Sequence, residues 1–221
     1  INLNKKILFI HIPKCSGVYV SKLLGIYANN ILHSTNNIKF PDKDCHIYGR
    51  TLQHYTINMI FHCINTYNCM NLSSENVDLK LFKIFTIVRN PYTRFISAYK
   101  QYPDRCNQLF KHMIGDRDIT AFAEYLYKRV KNEGYEFFNY GAYHQFQPMH
   151  FYTENNENYK IEIIKLDKED YNLKMKTLCE RYDIKYKNEK LNKNPDEENY
   201  KFTDNFKLVN YLNFIYAKDF Q

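Results

Sequence analysis

The chain has 221 residues, 44% of them hydrophobic and 25% charged, with a formal net charge of +7. This length supports one sizeable core and a single domain over residues 1–221, and the composition is that of an ordinary soluble globular protein. No apolar stretch approaches the roughly 20 residues that cross a bilayer, no secretory signal pattern is present, and no block of about five or six like charges occurs, so neither a membrane span nor a nucleic-acid-binding tail is expected.

The modest positive field suits an anionic cofactor or an acidic acceptor, although solvated lysines account for most of it. The 21 Tyr and 16 Phe, with no Trp, fit an AT-rich coding sequence and imply no stacking platform by themselves. The chain begins with Ile1 and not Met, as a trimmed or processed fragment would, and an upstream anchor is compatible with that start. The six cysteines (Cys15, Cys45, Cys63, Cys69, Cys106 and Cys179) include no C-x-x-C pair, which argues against a zinc ribbon or a thioredoxin-type site. Cys63 and Cys69 could close a small loop in an oxidising compartment, and free buried thiols are an equal reading. One glycosylation sequon, Asn71-Leu72-Ser73, leaves the compartment open.

In chain order, Ile7 to Ile12 (ILFIHI) reads as a buried strand that runs into the basic loop Pro13-Lys14-Cys15-Ser16-Gly17. Val20, Leu23, Leu24 and Tyr27 then recur at i, i+3, i+4 and i+7, one face of a helix. Asn29 to Asp44 reads as a polar loop, His46 to Gly49 as a short strand, Leu52 to Ile64 as a helix, and Tyr67 to Asp78 as a loop. A second strand-like run, Leu81 to Val88 (LFKIFTIV), leads into Arg89. Asn90-Pro91 is a helix start, with Asn as N-cap and Pro at the first helical position. Tyr92, Phe95, Ile96 and Tyr99 form the apolar face of that helix, and Gln101 to Arg117 reads as irregular. Ile119 to Val130 is an amphipathic helix, Lys160 to Leu166 alternates like a strand, and Leu173 to Tyr182 is a helix. Glu189 to Tyr200 is a polar loop, and a last helix spans about Asp204 to Tyr216. Strands alternating with helices predict an α/β fold with a mainly parallel sheet, whose ligands sit at the carboxyl ends of strands. Both basic junctions lie at such ends.

A loop turning from strand into helix points backbone N–H groups outward with partial positive charge, a cup for a phosphate. Lys14 adds a point charge, and Gly17 admits close backbone approach. An ordinary turn with a solvated Lys14 is the plain alternative. The Walker pattern is absent, because Lys14 precedes the glycine and no earlier Gly exists, which disfavours a kinase or NTPase. At the second junction Arg89 ends the strand and Ser97 follows two helical turns later. An Arg fork plus a hydroxyl can hold a terminal phosphate. Arg94, at i, i+3 to Ser97, reads either as a ligand contact or as the partner of a surface carboxylate. Two junctions in one chain suggest a ligand with phosphate-like groups at two separated positions.

The string HIPKCSG at His11 to Gly17 resembles the 5′-phosphosulfate loop of the membrane-type (Golgi) carbohydrate sulfotransferases, usually HIPKTGG followed by Thr. IVRNPYTRFISAY at Ile87 to Tyr99 resembles their 3′-phosphate motif, including the Arg-to-Ser spacing. IYAKDF at Ile215 to Phe220 resembles their final helix. The resemblance implies a P-loop-like, three-layer α/β fold with a central, mainly parallel sheet flanked by helices. It implies 3′-phosphoadenosine 5′-phosphosulfate as co-substrate, 3′-phosphoadenosine 5′-phosphate as product, and no metal. Lys14 would contact the bridging oxygen or the sulfuryl group. Cys15, Ser16, Gly17, Val18 and Tyr19 would wrap the 5′-phosphate with backbone N–H groups, and Arg89 and Ser97 would hold the 3′-phosphate. Ser16 stands where a glycine is usual, and Val18 where a hydroxyl residue is usual. The acceptor would be a glycan or another hydroxyl-bearing molecule. The compartment would be the Golgi lumen if an anchor was trimmed, and otherwise the cytoplasm.

Sulfuryl transfer resembles phosphoryl transfer: positioning and electrostatic stabilisation dominate, with in-line attack. A base should take the acceptor's proton, and His suits that near neutral pH. Among eight histidines, His54 in LQHYT is the candidate, beside an equal reading as a surface or capping residue. His11 reads as structural. His144 and His150, in YHQFQPMH, read as lining the acceptor cleft with Gln147. A zinc pair there lacks a third ligand in sequence. The expectation is a sulfotransferase acting on a carbohydrate hydroxyl. The alternative is a catalytically impaired relative that binds the nucleotide or a sulfated glycan without turnover.

Overall fold

Three short runs of β-branched and aromatic residues pair into one parallel sheet: β1 (Ile7–Ile10), β2 (Lys83–Val88) and β3 (Ile161–Lys165), in the order β1-β2-β3. The computed structural model describes residues 5–24, 54–61, 78–111, 118–139, 141–154, 159–165, 170–187 and 202–221. Tyr27, the 29–44 loop, the 46–49 strand, the ends of the 52–64 helix, nearly all of the 67–78 loop and the 189–200 loop lie outside the described residues. Ile7 stands opposite Lys83, and Ile84 opposite Ile161. β1 is buried along its whole length and β2 along most of it, as expected of parallel strands covered on both faces. In β3 only Ile161 is buried; the residues after it alternate between partly exposed and exposed, so this strand is covered mainly at its start. The buried hydroxyl of Thr86 is satisfied by donating to the Ile10 carbonyl at 2.8 Å.

The strands are shorter than the apolar runs that announce them. Ile12 is buried but lies beyond the ladder, and Leu79–Leu81 form a 3₁₀ turn whose N-cap, Asp78, accepts from the Lys80 N–H. A hydrophobic run reports burial, and burial extends past pairing at both ends.

Among the described residues, the helices of seven or more residues are α1 (Gly17–Leu23), α2 (Pro91–Lys111), α3 (Ile119–Glu133), α4 (Tyr171–Arg181) and α5 (Phe206–Ile215). The Asn90 side chain caps α2 as predicted, accepting from the Tyr92 N–H at 2.9 Å and the Thr93 N–H at 3.3 Å. The stretch from Gln101 was expected to be irregular; instead α2 continues past Pro103 to Lys111. Local propensity yielded here to a helix already nucleated and packed over its first turns. Asp118 and Asn205 cap α3 and α5, and Gly134, at φ 74°, ends α3 by donating to the Val130 carbonyl.

Two apolar clusters result. Ile7, Leu8, Ile10, Phe85 and Ile87 of the sheet pack with Val20 of α1 and with Met175 and Leu178 of α4. Phe95 and Ile96 of α2 pack with Phe122 and Leu126 of α3 and with Leu208, Leu212 and Ile215 of α5. Phe95 and Phe122 each stand edge-on to Phe146, at 5.7 and 4.9 Å between centroids, a geometry that adds to the area they bury. The chain is therefore α/β with an open parallel sheet and flanking helices, and the carboxyl ends of β1 and β2 lie side by side.

Candidate functional site

The loop from Pro13 to Gly17 leaves β1 through an uncommon backbone path. Lys14 has φ 67° and Ser16 φ 59°, with Cys15 between them at negative φ. Each left-handed non-glycine residue costs roughly 1–2 kcal/mol. Alternating hands turn successive N–H groups toward one side and make an anion-binding concavity. Ser16 is the N-cap of α1, yet its side chain makes no capping hydrogen bond. The first N–H groups of α1 have no intrahelical acceptor, so the helix opens without a side-chain lid. The Cys15 N–H is different, because it donates to the Ile12 carbonyl at 3.3 Å.

The side chains of the predicted cup point in several directions. Cys15 turns into the core, its Sγ 3.8 Å from Met149 Sδ. Burial pushes its thiol pKa up, against the lowering influence of Arg94 and Arg89. Val18 is 45% exposed. Tyr19 is buried, donates from its hydroxyl to the Lys187 carbonyl, and has its pKa raised first by burial and then by Tyr186 and Tyr171. Lys14 Nζ donates to Gln101 Oε1 at 2.7 Å.

The second junction meets this loop directly, because β1 and β2 are parallel neighbours. Arg89 donates from Nη1 to the Lys14 carbonyl at 3.2 Å and from Nε to Thr93 Oγ1 at 3.2 Å. Arg94 is not the partner of a surface carboxylate. It is fully buried and pairs with backbone carbonyls, donating to Pro13 at 3.1 Å, Gln145 at 3.0 Å and Gln147 at 2.7 Å. Ser97 is only 6% exposed. It lies between Arg94 and Gln101 on one stripe of α2, and both of those neighbours reach the loop.

The histidines form a chain of rings beside the loop. Gly17 packs against His11 so closely that a Cβ there would fall 1.8 Å from His11 Cδ2. His11 stacks on Phe9 and stands edge-on to His54, with centroids 5.0 Å apart. His54 Nδ1 lies 3.0 Å from His144 Nε2. His54 precedes the helical residues 57–61 and is partly exposed. His144 and Gln147 are buried, His144 within the 3₁₀ turn Gly141–Phe146 and Gln147 just after it, where Arg94 binds the backbone. His150 lies apart from this chain, with Nδ1 3.0 Å from the enclosed carboxylate of Asp219. The possible zinc pair of His144 and His150 is thus divided between two partners. Among the described residues no group of three or more His, Cys, Asp or Glu could hold a metal ion.

Gln101, Arg94 as a loop clamp, and Asp219 carried no sequence signal of these contacts. Only the stripe 94, 97, 101 points to Gln101, and the weak helical propensity from Gln101 onward hides it. Among the described residues no helix is long and apolar enough to cross a membrane. Neither a curated protein nor a solved structure matches the chain. The family model for the sulfotransferases, in contrast, matches residues 1–221. With a parallel sheet whose two adjacent strand ends carry Lys14 and Arg89 at one loop, the chain belongs to the sulfotransferase family.

Proposed function

We propose that the protein transfers the sulfuryl group of 3′-phosphoadenosine 5′-phosphosulfate to a hydroxyl of a carbohydrate. The observation that carries this reading is the Lys14–Gly17 loop, where Lys14 and Ser16 both take positive φ, α1 opens without a side-chain cap, and Arg89 donates to the Lys14 carbonyl. The N–H groups of Ser16, Gly17, Val18 and Tyr19 would hold the 5′-phosphate, with Cys15 acting mainly as the buried anchor of the loop. Arg89 and Ser97 would hold the 3′-phosphate. The donor supplies an electrophilic sulfur and a phosphate leaving group. Lys14, now held by Gln101, would turn its ammonium toward the oxygen on which negative charge grows. His54 would accept the acceptor's proton. No residue in this scheme requires a metal.

A second reading is an impaired relative that binds the nucleotide or a sulfated glycan without turnover. Val18 favours it, because its exposed isopropyl group offers no hydroxyl to a phosphate.

Calorimetry with 3′-phosphoadenosine 5′-phosphate against ATP, followed by a labelled-sulfate screen of glycans and tyrosyl peptides, tests both. Lys14→Ala should cut turnover by about 10²–10³-fold with nucleotide affinity mostly kept. Binding of the bisphosphate without transfer to any acceptor would favour the second reading, and absence of binding would remove both.

A further inference from the structure

We propose that His144 is a positioning residue for His54, which donates its Nδ1–H to His144 Nε2 and is thereby fixed in the tautomer whose basic nitrogen is Nε2. This rests on the reading of His54 as the base. The two nitrogens are 3.0 Å apart, and a hydrogen bond at that distance requires one donor and one acceptor. Two neutral imidazoles can meet this in either sense, so the direction must come from their surroundings.

Burial sets the direction. His144 is 8% exposed and His54 is more open. Desolvation disfavours the charged form more strongly at the more buried ring. The proton gained during reaction therefore resides on His54, with His144 neutral and accepting. The backbone of His144 is also anchored. Its carbonyl accepts from the Tyr152 hydroxyl and the Gln147 N–H, each at 3.3 Å, and the adjacent Gln145 carbonyl is bound by the buried Arg94. On the other side His11 meets the His54 ring edge-on, at an interplanar angle of 83°. His54 is thus confined between two rings, and His11 itself lies against Gly17, the first residue of α1.

The consequence for the reaction is specific. The acceptor's O–H bond breaks and its proton passes to His54 Nε2. The electron pair of that bond stays on oxygen and forms the new bond to sulfur, as the donor's S–O bond to phosphate breaks. His54 keeps its Nδ1 proton throughout, and no proton passes to His144. The Nδ1–H···Nε2 bond becomes charge-assisted as His54 turns into imidazolium, so it strengthens at the transition state and not before. A general base contributes about 10²–10⁴-fold, so losing its orienting partner should lower kcat by about 10–100-fold.

Nuclear magnetic resonance of the full chain with isotope-labelled histidine reads the tautomer directly. In the neutral state His54 should be protonated at Nδ1 and bare at Nε2. His144→Phe should replace that single form with a mixture, and His144→Gln, whose amide oxygen can accept, should restore it. In kinetics, His144→Phe should lower kcat while KM and affinity for 3′-phosphoadenosine 5′-phosphate stay the same. His144→Gln should recover part of the loss, and His144→Phe should add nothing on a His54→Ala background. Should His144→Phe fail to fold, the Gln variant and the wild-type spectrum decide the matter. A His54 protonated at Nε2, or a kcat indifferent to His144, would overturn the proposal. A wild type that neither binds the bisphosphate nor transfers sulfate would instead sink the sulfotransfer reading, while the spectra still report the dyad.

Discussion

Gly17 is the position in the loop where one carbon matters most. An ideal Cβ would lie 1.8–2.5 Å from three atoms of the His11 ring. The obstacle is a ring packed between Phe9 and His54, which has little room to give. Gly17→Ala should therefore cost about 1–3 kcal/mol by overpacking. Removing the obstacle tests the cause: in Gly17→Ala/His11→Ala the penalty of the alanine should largely vanish, a coupling of about 1 kcal/mol or more in urea denaturation. Additive losses would mean that the glycine is needed for some other reason. Ser16 is the contrasting case. It occupies a left-handed conformation that glycine adopts without strain.

At the scale of elements, α2 joins the two junctions. Its cap fixes where the helix starts, and its periodicity then sends Arg94 and Gln101 to the loop while Phe95 and Ile96 enter the helical core. The turns at 141–146 and 149–152 complete the wall. Arg94 holds the carbonyls of Gln145 and Gln147, and Tyr216 donates to the Phe146 carbonyl at 2.9 Å. Asp219 holds the second turn from the chain's last residues. It accepts from the N–H groups of Met149 at 2.7 Å and His150 at 2.9 Å, besides the His150 ring. Asp219→Ala leaves those donors without their carboxylate and should destabilise the fold by about 2–4 kcal/mol. Asp219→Asn, which keeps one acceptor oxygen, should lose less. Equal stability of wild type and alanine variant in chemical denaturation would show that the terminal residues do not anchor the turn.

For the whole molecule, buried tyrosines predict an alkaline limit. Burial raises the pKa of Tyr216, with Arg94 opposing it, and burial also raises that of Tyr19. Unfolded tyrosine titrates near pH 10. Below that value both states hold the proton and the stabilisation is fully present. As pH rises through the unfolded and then the folded value, the unfolded state binds fewer protons and stability falls. Urea midpoints should drop above about pH 10, and Tyr216→Phe should flatten that fall. A midpoint that stays level through this range would contradict the assignment. The three strands of the sheet, the cap at Asn90 and the two basic junctions were legible in the sequence, because each is written in residues close together: apolar runs, a cap chemistry, a loop composition. The full length of α2 was not legible, because the packing of its first turns outweighed the weak propensity beyond Gln101. The contacts within the candidate site were not legible either. Lys14 to Gln101, Arg94 to Pro13 and His54 to His144 span 87, 81 and 90 residues. The sequence by itself determined which residue types stand at each strand end. The tertiary structure alone decided that Arg94 clamps the loop from inside, and that a second histidine stands behind the first. Parallel pairing of β1 with β2 brings distant segments to one edge, and no local pattern records which side chains then meet.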